Sequence, residues 1–156
     1  MTTTMKKALG AVAIAIAAAA FAAPSFAANV TVKELNKGPD GFFVFEPQLV
    51  TIKPGDSVTF VADDKGHDVQ SLPGMIPAGA QPFQGQMSQN DTVTFTTPGV
   101  YVYKCQPHLS LGMVGVIVVG SPANLGQIDT SKLPPLAQKR VAAVLQQIKT
   151  STASAH

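Results

Sequence analysis

The stretch PGVYVYKCQPHLSLGMVGVIVVG, residues 98–120, decides how this 156-residue chain is interpreted. Two runs rich in Val, Ile and Tyr flank a short segment with Pro, Ser and Gly, which is typical of two strands joined by a loop. The joining segment carries Cys105, His108 and Met113 at C-x2-H-x4-M spacing. All three side chains can therefore converge from a single loop.

The strand pattern continues through the chain on the N-terminal side of this stretch. From Asn29 onward, short runs of Val, Ile, Thr and Phe alternate with period two, and Pro, Gly, Asn and Asp turns separate them. One stretch rich in Pro and Gly, residues 72–85, interrupts the series. Seven or eight strands at roughly 8–12-residue spacing predict an all-β sandwich over residues 28–120. The other runs are NVTVKEL, FFVFEP, LVTIK, SVTFVA and TVTFT.

The composition changes after Gly120, and residues 121–156 predict a short helical tail. Ser121-Pro122 and Pro134-Pro135 are typical of helix starts, because proline suits the first helical position. Apolar residues then recur at helical spacing and form one stripe. We expect this stripe to pack on the sandwich; a helix lying on a membrane surface is the alternative. The stripe consists of Ala137, Val141, Val144, Leu145 and Ile148.

Residues 1–27 have the three parts of a secretory signal peptide. Lys6 and Lys7 precede an apolar, alanine-rich run over residues 8–23, and small residues follow at Ser25 and Ala27. A transmembrane anchor is the competing interpretation, but a span needs about 20 apolar residues. The pattern predicts cleavage after Ala27 and export to a bacterial periplasm, with no membrane span in the mature chain.

The composition excludes several classes of protein. Hydrophobic residues make up 46% of the chain and charged residues only 13%, which argues against a disordered chain. Without Lys6 and Lys7, nine basic residues face nine acidic ones, so the electrostatic signature of a nucleic-acid binder is missing. One cysteine excludes an internal disulfide. A lone thiol in an oxidising compartment needs something to occupy or hide it.

A fourth candidate ligand, His67, lies at the end of an earlier strand. If the two loops share one end of the sandwich, His67 can join Cys105, His108 and Met113 in a set of one thiolate, two imidazoles and one thioether. Thiolate and thioether are soft ligands, and a His2Cys set with a weak axial methionine is typical of blue copper. Structural zinc rarely takes a thioether. Each of the four residues alone could be an ordinary core or surface side chain. The combination of all four is what favours a copper site.

These residues resemble the pseudoazurins, small blue-copper proteins with the cupredoxin fold. The resemblance covers essentially all of the predicted mature chain. It implies a cupredoxin-like Greek-key β-sandwich, one type 1 copper ion cycling between Cu+ and Cu2+, and His67, Cys105, His108 and Met113 as its ligands. The matching stretches are KGHDV at 65–69, GMIPAGA at 74–80, residues 98–120, and Ala123-Asn124-Leu125 at the start of the tail.

Two positions depart from the family pattern. Pseudoazurins usually have asparagine after the first histidine ligand, where this chain has Asp68, and an ionised carboxylate accepts hydrogen bonds but cannot donate them. An uncompensated charge there would favour the cupric form and lower the reduction potential. Many relatives also have a methionine two positions before the axial one; here Leu111 stands there, so Met113 is the unambiguous axial candidate.

The resemblance implies an electron shuttle rather than an enzyme. A cytochrome or similar protein would be the donor, and a terminal reductase of denitrification, such as nitrite reductase, the acceptor. We expect a monomer that transfers electrons through the ring edge of His108. Lysines could steer acidic partners toward the site; the candidates are Lys37, Lys65 and Lys104. An apolar docking patch is expected from Leu109, Leu111, Met75, Ile76 and Pro77.

The alternative function is copper storage or delivery without electron transfer. A carrier of that kind would use exposed, exchangeable Met and His clusters, which this sequence lacks. A copper enzyme would need a second metal site, and His156 is the only other histidine in the chain.

Overall fold

The computed structural model of the protein describes residues 26–154. Residues 1–25 of the predicted leader, and His156, therefore lie outside the described part. Within it, eight strands form two four-stranded sheets, which confirms the predicted sandwich. The strands are β1 (Asn29–Gly38), β2 (Gly41–Glu46), β3 (Leu49–Ile52), β4 (Ser57–Val61), β5 (Gln70–Ser71), β6 (Asp91–Thr94), β7 (Gly99–Lys104) and β8 (Val114–Val119).

Each sheet contains both parallel and antiparallel neighbours. The first sheet has the order β2-β1-β4-β6, and its β1–β4 pair is parallel. The second has the order β3-β8-β7-β5, and its β3–β8 pair is parallel. The two strands within residues 98–120, β7 and β8, pair antiparallel, from Gly99 opposite Val119 to Lys104 opposite Val114. Their connecting loop therefore lies at one end of the sandwich.

The main core lies between the sheets and is rich in aromatic side chains. Phe45 and Phe60 from the first sheet contact Tyr103 from the second edge-on, with ring centroids 4.8 and 5.2 Å apart. The ring of Tyr103 lies over Gly115, its cross-strand partner: a Cβ added at Gly115 would meet the phenol oxygen at 2.3 Å. Glycine is therefore required at this point of β8. Cys105 and Met113 belong to the same buried cluster.

Every residue of β8 is buried because the strand is covered on both sides. Ile117 and Val119 face the core between the sheets. Val114, Val116 and Val118 face a second cluster, formed with a C-terminal helix. A strand covered on both faces needs no polar alternation, which explains its continuous apolar sequence.

The tail contains one α-helix, α1 (Pro135–Ala153), where the sequence predicted two helices. The prediction of a helix starting at Ser121-Pro122 is wrong. Short 3-10 turns at Leu125–Gln127 and Thr130–Lys132 occupy this segment instead. The side chain of Asn124 explains the difference. Its Oδ1 accepts from the N–H of Val100 at 2.7 Å and its Nδ2 donates to the Val100 carbonyl at 3.0 Å, so this segment is tied to the edge of β7.

The second predicted helix is confirmed. Pro135 occupies its first turn, as the sequence predicts. The whole predicted stripe, from Ala137 to Ile148, is buried against the outer face of the second sheet. Among the described residues, no helix is long and apolar enough to cross a membrane.

Substituting Val141, which is completely buried on the sheet-facing side of α1, should test this packing. We expect Val141→Ala to lower the free energy of unfolding by about 2 kcal/mol, because the lost methyl groups leave a cavity between helix and sheet. Urea denaturation measures the difference. Ala142→Ser, on the exposed face of the same helix, is the control. Equal unfolding midpoints for Val141→Ala and wild type would show that the helix is not held by this contact.

Candidate metal centre

Two loops at one end of the sandwich supply the candidate ligands. His67 lies between β4 and β5, Cys105 directly follows β7, and Met113 directly precedes β8. Two backbone hydrogen bonds close the loop between Cys105 and Met113. The N–H of Cys105 donates to the Met113 carbonyl at 3.0 Å, and the N–H of Met113 donates to the His108 carbonyl at 3.1 Å. The loop is therefore folded back on itself at the ends of two paired strands.

The structure brings His67, Cys105 and His108 together. Nδ1 of His67 lies 3.1 Å from Nδ1 of His108. The sulfur of Cys105 lies 3.7 Å from Nδ1 of His67 and 3.4 Å from Nδ1 of His108. Among residues 26–154, this is the one group of three His, Cys, Asp or Glu side chains arranged to hold a metal ion. Met113 is completely buried and packs in the same cluster as Cys105.

The imidazole of His67 is oriented by Asn36, which the sequence analysis did not single out. Nε2 of His67 donates to Oδ1 of Asn36 at 2.9 Å, so the lone pair of Nδ1 stays available for a metal ion. Burial lowers the pKa of His67, and neighbouring His108 lowers it further. The neutral imidazole, which is the form that binds metals, is favoured.

The thiol of Cys105 is completely buried. Burial raises its pKa to about 11, although the backbone N–H groups of Asp68 and His108 act in the opposite direction. Without a metal, this thiol therefore holds its proton at neutral pH, and a bound metal ion would have to displace it.

Asp68, the departure from the family pattern, ties the two ligand loops together. Its Oδ1 accepts from the N–H of Gln106, and its Oδ2 accepts from Nε2 of Gln70, both at 2.7 Å. Both contacts need only an acceptor, so the carboxylate fills this position without donating a proton. Asp68 is itself buried, with 5% of its surface exposed.

His108 is the half-exposed member of the group, and Phe43 covers one face of its ring. The two rings are stacked, with centroids 4.3 Å apart and planes 19° apart. Phe43 adopts a φ of 53°, which is unusual for a bulky residue and indicates that its surroundings hold it there. The sequence gives no sign of this contact, because Phe43 lies in an ordinary strand pattern.

The donor set fits a metal ion of the copper type. Metal–imidazole bonds of about 2.0–2.1 Å and metal–thiolate bonds of about 2.3 Å place neighbouring donor atoms about 3–4 Å apart. The three observed separations, 3.1 to 3.7 Å, lie in this range. Two imidazoles, a cysteine sulfur and a methionine thioether packed in the same buried cluster as that cysteine are the ligand types of a blue-copper site.

Comparison with known proteins agrees with this chemistry. The sequence profile of the copper-binding proteins of the plastocyanin/azurin family matches residues 32–120. Pseudoazurin of Paracoccus pantotrophus is 44% identical over 137 residues, which cover 87% of this chain and 94% of that protein. This chain belongs to the pseudoazurin family. It is therefore a member of the blue-copper electron-transfer proteins, whose metal is copper.

Solved pseudoazurin structures share the fold of this family member. The pseudoazurin of Sinorhizobium meliloti superimposes with a TM-score of 0.75 at 42% identity, covering 78% of this chain and 96% of that one. The pseudoazurin of Methylobacterium extorquens AM1 gives 0.74 at 44% identity, covering 77% and 98%. The cupredoxin fold expected from the sequence is thereby confirmed.

The expected docking patch of this pseudoazurin is only partly at the surface. Met75 and Pro77 are buried, and Ile76 packs partly against the main core. Their loop runs alongside β7, where the N–H of Val102 donates to the Met75 carbonyl at 2.9 Å. Leu109 is half-buried beside the helix cluster. Large apolar side chains that are exposed around the ligand loop are Leu111 (45%), Leu136 (42%) and Phe42 (63%).

Glu34 is a buried acid that the sequence analysis also passed over. It is in phase with Val30 and Val32 along β1, so its side chain points into the core, and this alternation is the signal that could have found it. Neither carboxylate oxygen has a hydrogen-bond partner among the described residues. Burial raises the pKa of Glu34 to about 7, with further contributions from Asp68 and Asp91.

The raised pKa of Glu34 predicts a pH-dependent stability. The ordinary value, 4.5, applies to the unfolded chain, so the folded protein binds more protons between about pH 4.5 and 7. The free energy of unfolding should therefore fall as pH rises through this interval and level off above it. We expect Glu34→Gln to remove the fall and to stabilise the metal-free protein at pH 8 by on the order of 2–3 kcal/mol.

Urea denaturation of the metal-free protein at several pH values measures this effect. Glu46→Gln removes the same charge from a half-buried position in β2 and serves as the control. A Glu34→Gln protein with the same slope against pH as wild type would contradict the assignment.

Proposed function

We propose that this chain is a periplasmic one-electron carrier, not an enzyme, in which His67, Cys105, His108 and Met113 hold one copper ion. The observation that carries the proposal is the convergence of two imidazole nitrogens on one buried thiol, 3.1 to 3.7 Å apart, at the end of the sandwich. Bound copper would supply a reversible one-electron couple through Cu+ and Cu2+.

The residues around the site favour fast electron transfer over copper exchange. His67 and Cys105 are completely buried, and Asn36 and Asp68 hold their loops in place. Ligands fixed in this way need little rearrangement when the charge of the metal changes. The same burial opposes the ready release that copper storage or delivery requires, so that alternative is the less supported one.

Replacing the thiol should remove the spectroscopic signature of the site. Cupric ion added to the wild-type protein should give an intense thiolate-to-copper absorption band that disappears on reduction. Cys105→Ser should lose this band, because a hydroxyl cannot supply the sulfur donor. Ser110→Ala, an exposed position in the same loop, should keep it. Circular dichroism checks that both variants fold; an intact band in Cys105→Ser would refute the ligand set.

His108 connects the site to the surface. It is half-exposed, whereas His67 and Cys105 are completely buried. Exposed Pro107 and Leu111 lie beside it in the loop. An electron can therefore leave through the ring of His108 into a partner that covers this loop.

We further propose that the partners are redox proteins, with a cytochrome or similar donor and a nitrite reductase or similar acceptor. Support comes from the family resemblance and from the exposed apolar patch formed by Leu111, Leu136 and Phe42. A small apolar contact suits redox partners that must dissociate quickly. Lys37 lies at its edge, with Nζ 5.6 Å from the centre of the Phe42 ring, and could add steering toward an acidic partner.

A charge placed in the patch should slow electron transfer to the acceptor. We expect Leu111→Lys to lower the second-order rate with a nitrite reductase roughly tenfold, equivalent to about 1.4 kcal/mol, because the apolar contact is lost. The copper absorption spectrum should not change. Ala142→Lys adds the same charge on the exposed face of α1 and is the control. Stopped-flow rates equal to wild type for Leu111→Lys would exclude this docking surface.

A further inference from the structure

Arg140, on the C-terminal helix, makes three hydrogen bonds that join separate parts of the site. Its Nη1 donates to the carbonyl of Gly112 at 2.8 Å and to the carbonyl of Phe43 at 3.1 Å. Its Nη2 donates to the carbonyl of Phe42 at 3.3 Å. The side chain is half-buried, so these bonds are partly shielded from water. One guanidinium thus bridges the start of β2 and the end of the ligand loop.

Both bridged segments carry a group that contacts the site. Phe43, whose carbonyl Arg140 binds, stacks on the ring of His108. Gly112, the other partner, immediately precedes Met113. Phe43 also has a left-handed φ of 53°, a conformation that a bulky residue keeps only when neighbouring groups hold it. The bonds from Arg140 to the carbonyls of Phe42 and Phe43 supply such a restraint.

The helix also lies directly against the backbone of the loop. Gly112 has a left-handed φ of 81°, and a Cβ there would lie 2.7 Å from Cγ of Leu136 and 3.2 Å from Cδ of Arg140. Only glycine allows this approach. The first turns of α1 therefore pack directly against the backbone of the loop, and Arg140 holds the loop there by its hydrogen bond to the Gly112 carbonyl.

We propose that Arg140 is a positioning residue of the copper site, which holds Phe43 against His108 and fixes the backbone before Met113. This inference rests on the proposed function, which assigns His108 and Met113 as copper ligands. Arginine suits the role because its planar group presents several donors in a fixed fork and keeps its charge at every physiological pH. Lysine has the charge but not the fork. We call the three hydrogen bonds from Arg140 to Phe42, Phe43 and Gly112 the clamp. It was not evident from the sequence, where Arg140 is an ordinary polar residue of an amphipathic helix.

Three variants separate the clamp from simple charge. Arg140→Gln removes fork and charge, and Arg140→Lys removes the fork alone. Lys139→Gln removes one charge from an exposed position next to it on the same helix and is the matched control. We expect both Arg140 variants to change the intensity ratio of the thiolate-to-copper bands and to weaken cuprous ion binding about tenfold, as loss of an outer partner of a metal ligand does. Lys139→Gln should match wild type.

A second readout needs no copper. In NMR spectra of the metal-free protein, we expect nuclear Overhauser contacts between the rings of Phe43 and His108 in wild type and Lys139→Gln. These contacts should be lost or weakened in both Arg140 variants. Should wild type lack the copper absorption band, the proposed function fails, while the ring contacts still decide whether Arg140 positions Phe43.

Several results would overturn the proposal. If the Arg140→Lys protein keeps both the copper spectrum and the ring contacts, the fork is dispensable. If the Lys139→Gln protein behaves like Arg140→Gln, net charge alone accounts for the effect. If the Arg140 variants do not fold, the wild-type protein decides the question. Slowly exchanging, separately resolved Nη resonances of Arg140 support the clamp, and a single averaged signal, as for a solvated arginine, overturns it.

Discussion

The site depends on one constraint: the loop from Cys105 to Met113 is closed by backbone hydrogen bonds at the ends of two paired strands. The N–H of Cys105 binds the Met113 carbonyl, and the N–H of Met113 binds the His108 carbonyl. The first of these bonds continues the ladder of β7 and β8 by one step, and the side chains of Cys105 and Met113 at the two ends of the loop are completely buried. The sheet thereby fixes the separation of Cys105 and Met113, and the rest of the structure aligns His67 and His108 with them.

The surrounding contacts make this arrangement rigid from several directions. Asp68 ties the His67 loop to Gln106, and Asn36 fixes the ring of His67 from the first sheet. Phe43 covers His108, and the C-terminal helix supports the loop from behind. Such a frame suits a redox centre, because ligands that cannot relax toward the preference of either oxidation state keep the reorganisation on electron transfer small. The tail is thus part of the site's support, although it contributes none of the proposed ligands.

Much of this could be predicted from the sequence, for identifiable reasons. Period-two alternation predicted the strands, the stripe from Ala137 to Ile148 predicted α1, and unusual residue types made Cys105, His108 and Met113 stand out. The residues that were missed act through three-dimensional contacts. Asn36, Phe43 and Arg140 lie 28 to 98 positions from the groups they bind or join, and no local pattern marks such pairs. The failed helix at Ser121 has the same cause, since Asn124 satisfies its hydrogen bonds on Val100 of a strand instead of within a helix.

We infer that the protein, without help from the metal, holds the donor atoms where copper needs them. A crystal structure of the metal-free protein, superimposed on that of its copper-loaded form, tests it most directly. We expect both imidazole Nδ1 atoms and the Cys105 sulfur to stay within about 0.5 Å of their positions in the loaded protein, with the two nitrogens still near the 3.1 Å separation found here. A ligand loop displaced by more than about 2 Å in the metal-free crystal, or a His108 ring turned away from Phe43, would contradict it.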